Sequence, residues 1–210
     1  MNQQVLLNTK NFCYFTSLMH MLACVDVDFS YRDPMIQGAI NYVKNVGGTN
    51  MNMYNMLQKR IATIAKHKPY DPNLILWNIV PHIQQIFLYP TYTDIETSLL
   101  FQIYNPTSSY FVVSLIRNMN GVKIKNKVHV NERIGNYRAI SIIIHCGTKS
   151  SNGHYIAFVF EDNWFMYDDN KKPVKILFKS FDEFNTFRYA CGIYGTIERD
   201  ATTILYKRQI

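Results

Sequence analysis

Gly153-His154-Tyr155-Ile156-Ala157-Phe158-Val159-Phe160, Glu161-Asp162-Asn163 and Trp164-Phe165-Met166-Tyr167-Asp168-Asp169 follow one another without a break. The run reads as a β-hairpin. Aromatic and β-branched residues fill both arms, and a polar triplet supplies the turn. Antiparallel pairing would bring Asp168, at the end of the second arm, back beside His154, at the start of the first. Asp168 would then accept the Nδ1 hydrogen of His154 and fix its tautomer. Gly153 would keep bulk away from a cleft and allow unusual backbone angles. The other histidines, His20, His67, His82, His129 and His145, lack this framing.

The partner for such a histidine lies at the other end of the chain. Asn8-Thr9-Lys10-Asn11-Phe12-Cys13-Tyr14 runs into Phe15-Thr16-Ser17-Leu18-Met19-His20-Met21-Leu22. Tyr14 to Cys24 is apolar nearly all round, which predicts a buried helix with Cys13 at its start. A helix N-terminus and a nearby imidazolium both stabilise a thiolate. Asn8 could turn its amide toward a developing oxyanion, together with the Cys13 backbone N–H. A thiol, an imidazole and an orienting acid are the parts of a thiol hydrolase.

Between these ends the first half is expected to be mainly helical. Met51 to Lys66 and Asn73 to Leu88 carry apolar residues at i, i+3 and i+4 spacing. Asp71 or Asn73 would cap the second stretch, and Pro81 would bend it or force a restart. The second half turns β-rich, at 110–116, 138–145, 154–160, 164–167 and 202–206. Ser180 to Phe187 reads as a short helix with Ser180 as cap and Glu183 at the capping-box position. Helices first and strands later predict an α+β fold. One domain is expected over 1–210, with a helical lobe over 1–105, a β lobe over 106–210 and a cleft between them.

Composition narrows the function classes. The chain has 210 residues, is 48% hydrophobic and 18% charged, and so has the means to build a real core. No apolar run reaches the length of a membrane span, and Met1-Asn2-Gln3-Gln4 does not open a secretory signal. Cys13, Cys24, Cys146 and Cys191 form no C-x-x-C pair, so neither a structural zinc nor any other metal or cofactor is expected. Scattered cysteines without a signal favour reduced thiols in the cytoplasm or nucleus. The formal net charge is +7. The basic residues are spread out, with only small knots such as Lys123, Lys125 and Lys127, and nucleic-acid binding is not expected.

Taken together, the residues resemble the ubiquitin-specific proteases, the papain-like deubiquitinases. That family's Cys box runs roughly Asn-x-Gly-Asn-Thr-Cys-Tyr-Met-Asn-Ser-x-Leu-Gln-x-Leu. Asn8, Asn11, Cys13, Tyr14, Ser17 and Leu22 match it in place. The family's His box carries His-x-Gly, Gly-His-Tyr-x-Ala-Tyr-Val and Trp-Tyr-x-Phe-Asp-Asp. Here these read His145-Cys146-Gly147, Gly153 to Val159 and Trp164 to Asp169. Ala201 to Arg208 looks like the family's closing strand. Lys10, Phe12 and His20 depart from the pattern, and neither the family's Gln-x-Asp-Ala-x-Glu-Phe helix nor its zinc-binding fingers can be found.

The resemblance implies a papain-like fold, with a helical thumb, an antiparallel β palm and no zinc fingers. It implies Cys13 as nucleophile, His154 as general base and acid, Asp168 as orienting acid, Asp169 as a second polar helper and Asn8 as oxyanion amide. Phe12, Tyr14, Gly153 and Tyr155 would line a narrow slot for a Gly-Gly tail. The implied partner is ubiquitin or a ubiquitinated protein, bound by a monomer. The alternatives are the same chemistry on a ubiquitin-like modifier or on a viral polyprotein, or a module that holds ubiquitin without cutting it. Richness in Asn, Ile, Lys and Tyr fits an AT-rich genome, such as that of a large DNA virus acting in a host cytoplasm.

Overall fold

Strand Asn152–Phe160 pairs antiparallel with strand Trp164–Tyr167, from Phe160↔Trp164 to Ala157↔Tyr167, with 161–163 as the turn. This is the hairpin expected from its sequence. It belongs to a computed structural model that describes residues 3, 12–27, 34–45, 55–56, 59–60, 71–73, 76, 83–100, 108–149, 152–169, 171–189 and 195–209.

The described elements are, in chain order, α1 (Cys13–Leu22), α2 (Pro34–Lys44), β1 (Gln84–Leu88), α3 (Ile95–Leu100), β2 (Tyr110–Leu115), β3 (Asn118–Met119) and β4 (Val122–Lys123). They continue with β5 (Arg133–Ile134), β6 (Tyr137–Lys149), β7 (Asn152–Phe160), β8 (Trp164–Tyr167), β9 (Val174–Ile176) and α4 (Phe181–Asn185). The chain closes with β10 (Arg188–Tyr189), β11 (Gly195–Thr196), α5 (Ile197–Asp200) and β12 (Ala201–Arg208). The main sheet runs β1-β2-β12-β6-β7-β8-β9, and β5 pairs with β6. Its neighbours are antiparallel except β1 and β2, which are parallel.

Both faces of the sheet are covered, which is why its central strands are apolar without a polar face. On β2, Tyr110 and Val112 point to a core built with Phe15, Leu18, Leu22, Ile40 and Val43 of α1 and α2. Phe111 and Val113 point the other way, to a core shared with Phe158, Trp164, Phe184, Ile197 and Tyr206. Phe111 stacks on Tyr206 at 4.8 Å between centroids. Each fully buried Phe or Leu contributes ~1.5–3 kcal/mol. Among the described residues no helix is long and apolar enough to cross a membrane.

One expectation fails here. The stretch from Asn73 to Leu88 does not continue as a helix, because Gln84–Leu88 is strand β1. Its buried residues, Ile86 and Leu88, alternate with exposed Phe87, a period of two. The open edge of β2 takes this short apolar run as a parallel partner, so β1 joins the sheet from the half read as helical. Asp71, not Asn73, makes the local cap, accepting from the Asn73 N–H at 2.9 Å. The Asn73 side chain instead reaches the sheet, where its Oδ1 accepts from Ser114 and Thr203 hydroxyls at 2.7 Å each. The helix expected over 51–66 falls almost wholly outside the described residues.

Ser180 caps α4 as its sequence predicts, accepting from the Glu183 N–H at 3.2 Å. Glu183 reaches back to the Lys179 N–H at 2.7 Å.

Candidate active site

Helix α1 starts at Cys13. Phe12 stands before it with φ −101° and ψ 14°, and the Phe12 carbonyl accepts from the Phe15 and Thr16 N–H groups at 2.9 Å each. The first N–H groups of a helix have no partner inside it, so its positive end lies at the Cys13 thiol. The helix is sunk into the molecule along its whole length, and Cys13 is 8% exposed. Such packing holds the sulfur in one place.

His154 lies on β7 opposite Cys146 of β6. Just beyond that pair the register slips, and Gly147 adopts φ 144°. Gly153 is needed for close approach: a Cβ there would sit 2.1 Å from the Cys146 carbonyl oxygen and 2.3 Å from His145 Nε2. Its backbone is not left-handed, so the unusual angles expected at this position are absent. The bulged backbone is anchored from behind. Lys123 donates to the carbonyls of His145 and of Gly147, the latter at 3.1 Å, and pairs with Asp200 at 2.5 Å. Tyr189 donates to the other Asp200 oxygen at 2.8 Å.

Cys13 Sγ, a His154 ring nitrogen and an Asp169 carboxylate oxygen lie within 4.8 Å of one another. His154 Nε2 meets Asp168 Oδ1 at 2.6 Å. The expected Nδ1 contact to Asp168 is thus corrected. Asp168 follows Tyr167, the last residue of β8, and reaches the outer nitrogen of the ring. Asp169 lies on the inner side, with Oδ2 3.9 Å from Nδ1. That leaves Nδ1 as the nitrogen facing Cys13. Thr16 donates to Asp169 Oδ1 and to the Cys13 carbonyl, the latter at 3.0 Å. One hydroxyl therefore ties α1 to the end of the hairpin. Lys171 pairs with Asp168 Oδ2.

Burial of the His154 ring favours its neutral form. The Asp168 hydrogen bond, the Cys13 sulfur and the Asp169 charge outweigh that, and its pKa rises from 6.5 to about 10. Asp168 is pushed up by burial, but the hydrogen bonds from His154 and Lys171 prevail and hold it below the usual carboxylate range. The other buried histidines behave oppositely. Burial lowers His20 to about 3, and its ring stacks on Tyr167 at 4.3 Å. Burial and nearby Lys123 lower His145 to about 4. Both are neutral in the core. Burial raises Cys24 to about 12, so its thiol stays protonated at neutral pH.

The residues expected to line a slot divide. Tyr14 is 3% exposed and belongs to the core, while Phe12 and Tyr155 keep part of their surface free. Tyr155 leans on His145 at 4.6 Å between ring centroids. Asn8 lies outside the described residues, as does Cys191. Thr16 was not singled out in the sequence, and Lys123 and Lys171 stood out only as members of small basic knots. Thr16 had a signal, since it stands one helical turn after Cys13 on the same face. Lys123 had none. Among the basic knots, Lys123 is buried against Asp200 and Lys127 pairs with Glu198 at 2.6 Å.

Comparison with known proteins bears on the family and the fold. The family described as ubiquitin carboxyl-terminal hydrolase matches residues 50–175. Ubiquitin carboxyl-terminal hydrolase 37 of Gallus gallus is 40% identical over 50 residues, which are 22% of this chain and 5% of that protein. The chain thus spans a small fraction of the length of this curated relative. A SAGA Ubp8/Sgf11/Sus1/Sgf73 DUB module bound to ubiquitin aldehyde superposes with a TM-score of 0.71 at 13% identity, over 100% of this chain and 70% of the solved one. A yeast SAGA DUB module superposes with a TM-score of 0.60 at 15% identity, over 100% and 69%. At these identities the likeness speaks for the papain-like fold, and the family match carries the assignment. The chain belongs to the ubiquitin carboxyl-terminal hydrolase family.

Proposed function

We propose that the chain is a thiol-dependent deubiquitinase that cuts the bond after the C-terminal glycine of ubiquitin. The observation that carries this is the meeting of Cys13, His154 and Asp169 within 4.8 Å, with Asp168 on the far ring nitrogen, in a chain of this family. The DUB modules of the same fold include forms bound to ubiquitin aldehyde and to monoubiquitin.

In this reading the Cys13 thiolate attacks the carbonyl carbon of the terminal glycine. The oxyanion forms at the N-terminus of α1, where backbone N–H groups and the helix dipole stabilise it. Asn8 is assigned the side-chain donor. Imidazolium His154, held by Asp168, gives its Nδ1 proton to the departing lysine amine, and a thioester remains. Neutral His154 then takes a proton from water, hydroxide adds to the thioester, and ubiquitin leaves. Asp169 supports the charged ring and is kept in place by Thr16. Phe12 and Tyr155 flank the tail, and Gly153 leaves room beside it. The thiol must stay reduced, which suits the cytoplasm or nucleus.

A ubiquitin probe with a C-terminal vinyl sulfone tests this under reducing conditions. Wild-type protein is expected to become labelled and Cys13→Ala to stay unlabelled. Wild-type protein that binds ubiquitin but resists labelling would mark a non-catalytic module instead. Probes built on ubiquitin-like modifiers decide which modifier is used.

A further inference from the structure

Cys13 at the start of α1, His154 on β7 and Asp169 just past the end of β8 present a sulfur, a nitrogen and an oxygen to one point, each within 4.8 Å of the others. Among the described residues this is the one group of three metal-ligating side chains so close together. A tetrahedral zinc with ligand bonds near 2.0–2.3 Å needs its ligands roughly 3.3–3.8 Å apart. The Nδ1 to Oδ2 distance is already 3.9 Å. Thiolate, imidazole and carboxylate together suit zinc among the available divalent ions.

The surroundings are those of a ligand site as well. Asp168 holds His154 Nε2 at 2.6 Å, the carboxylate–histidine arrangement that orients a ring whose other nitrogen binds metal. Thr16 occupies Asp169 Oδ1 and leaves Oδ2 turned toward the ring. The thiol is seated on buried α1 and the imidazole on β7, while Asp169 follows β8; closing the three atoms from within 4.8 Å to bonding range takes a shift of about 1 Å.

We infer that Cys13, His154 and Asp169 form a reversible binding site for a thiophilic divalent cation, zinc in the first instance, with its fourth position open to water. Binding takes the place of the imidazolium proton on His154 Nδ1 and involves no change of oxidation state. Resting on the deubiquitinase reading, the bound ion holds the nucleophile and silences the enzyme until it is removed. The same three side chains thereby make activity responsive to free zinc.

Cobalt(II) titration of the chelator-treated, reduced protein tests the site apart from any activity. Expected are a thiolate-to-cobalt charge-transfer band and the visible bands of four-coordinate cobalt, both displaced by zinc. Cys13→Ser should abolish the charge-transfer band. Asp168→Asn should weaken binding about ten- to a hundredfold. Cys24→Ser should leave the spectrum as in wild type, and circular dichroism checks that each variant folds. A charge-transfer band that persists in folded Cys13→Ser, or cobalt that binds wild type without such a band, overturns the proposal. Ubiquitin vinyl-sulfone labelling is followed in chelator and in zinc. Cobalt binding without labelling in chelator supports the site and removes the deubiquitinase reading. Labelling without cobalt binding, or labelling in chelator that zinc leaves unchanged, removes the inhibitory site and keeps the enzyme.

Discussion

His154 and Asp168 are joined through Nε2 and Oδ1 at 2.6 Å, and the ring's other nitrogen is left facing the Cys13 side of the cleft. This pair governs the protonation of the site. His154 has its pKa raised from 6.5 to about 10. A raised histidine adds stability that is fully present below pH 6.5 and is lost as pH rises through 10. The acid that protonates the leaving amine is lost over the same upper range. Isopeptide hydrolysis should therefore fall on approaching pH 10, while alkylation of Cys13 by iodoacetamide should not fall with it. In Asp168→Asn the ring loses its carboxylate, and the alkaline limb should move toward neutral pH. Parallel pH–rate profiles of the two proteins, with an NMR titration of His154, check this.

Thr16 should matter for turnover more than for binding. Its hydroxyl ties Asp169 to α1. Thr16→Val removes that donor and is expected to lower kcat about tenfold, from ~1.5 kcal/mol of lost charge-assisted bonding. KM for a ubiquitin–fluorophore substrate should change little. Thr16→Ser keeps the hydroxyl and should recover most of the rate. Equal losses in both variants would mean that Thr16 serves packing alone.

Gly153→Ala places a Cβ 2.1 Å from the Cys146 carbonyl oxygen and 2.3 Å from His145 Nε2. Backbone must shift to admit it, at a cost of ~1–3 kcal/mol. The strand that moves carries His154, and a misplacement of about 1 Å can cost about a hundredfold in rate. Thermal unfolding and kcat, measured on the same sample, should both drop.

Lys123→Met leaves Asp200 buried beside Tyr189 without its cation. Breaking a buried pair from one side costs ~3–5 kcal/mol. The double variant Lys123→Met/Asp200→Leu removes both charges and should regain much of the loss. Urea unfolding midpoints of the two variants separate these outcomes. A single variant as stable as wild type would show that the pair carries no net stabilisation.

Local pattern sufficed for much of this chain. The hairpin arms, its three-residue turn, the Ser180 cap and the buried helix beginning next to Cys13 are encoded within a few residues, where propensity and periodicity act directly. The hairpin also places Asp168 near His154, since antiparallel register carries the end of one arm to the start of the other. Contacts between distant segments had no such signal. The meeting of α1 with β7, the tie from Thr16 to Asp169 and the Lys123 anchor depend on how two cores pack on opposite faces of one sheet. The same holds for Gln84–Leu88. Its apolar residues suit either period over so short a run, and the unpaired edge of β2 decided for a strand. Which ring nitrogen faces Asp168 was likewise set by tertiary packing, because side-chain direction follows the placement of whole strands and not the order of residues along them.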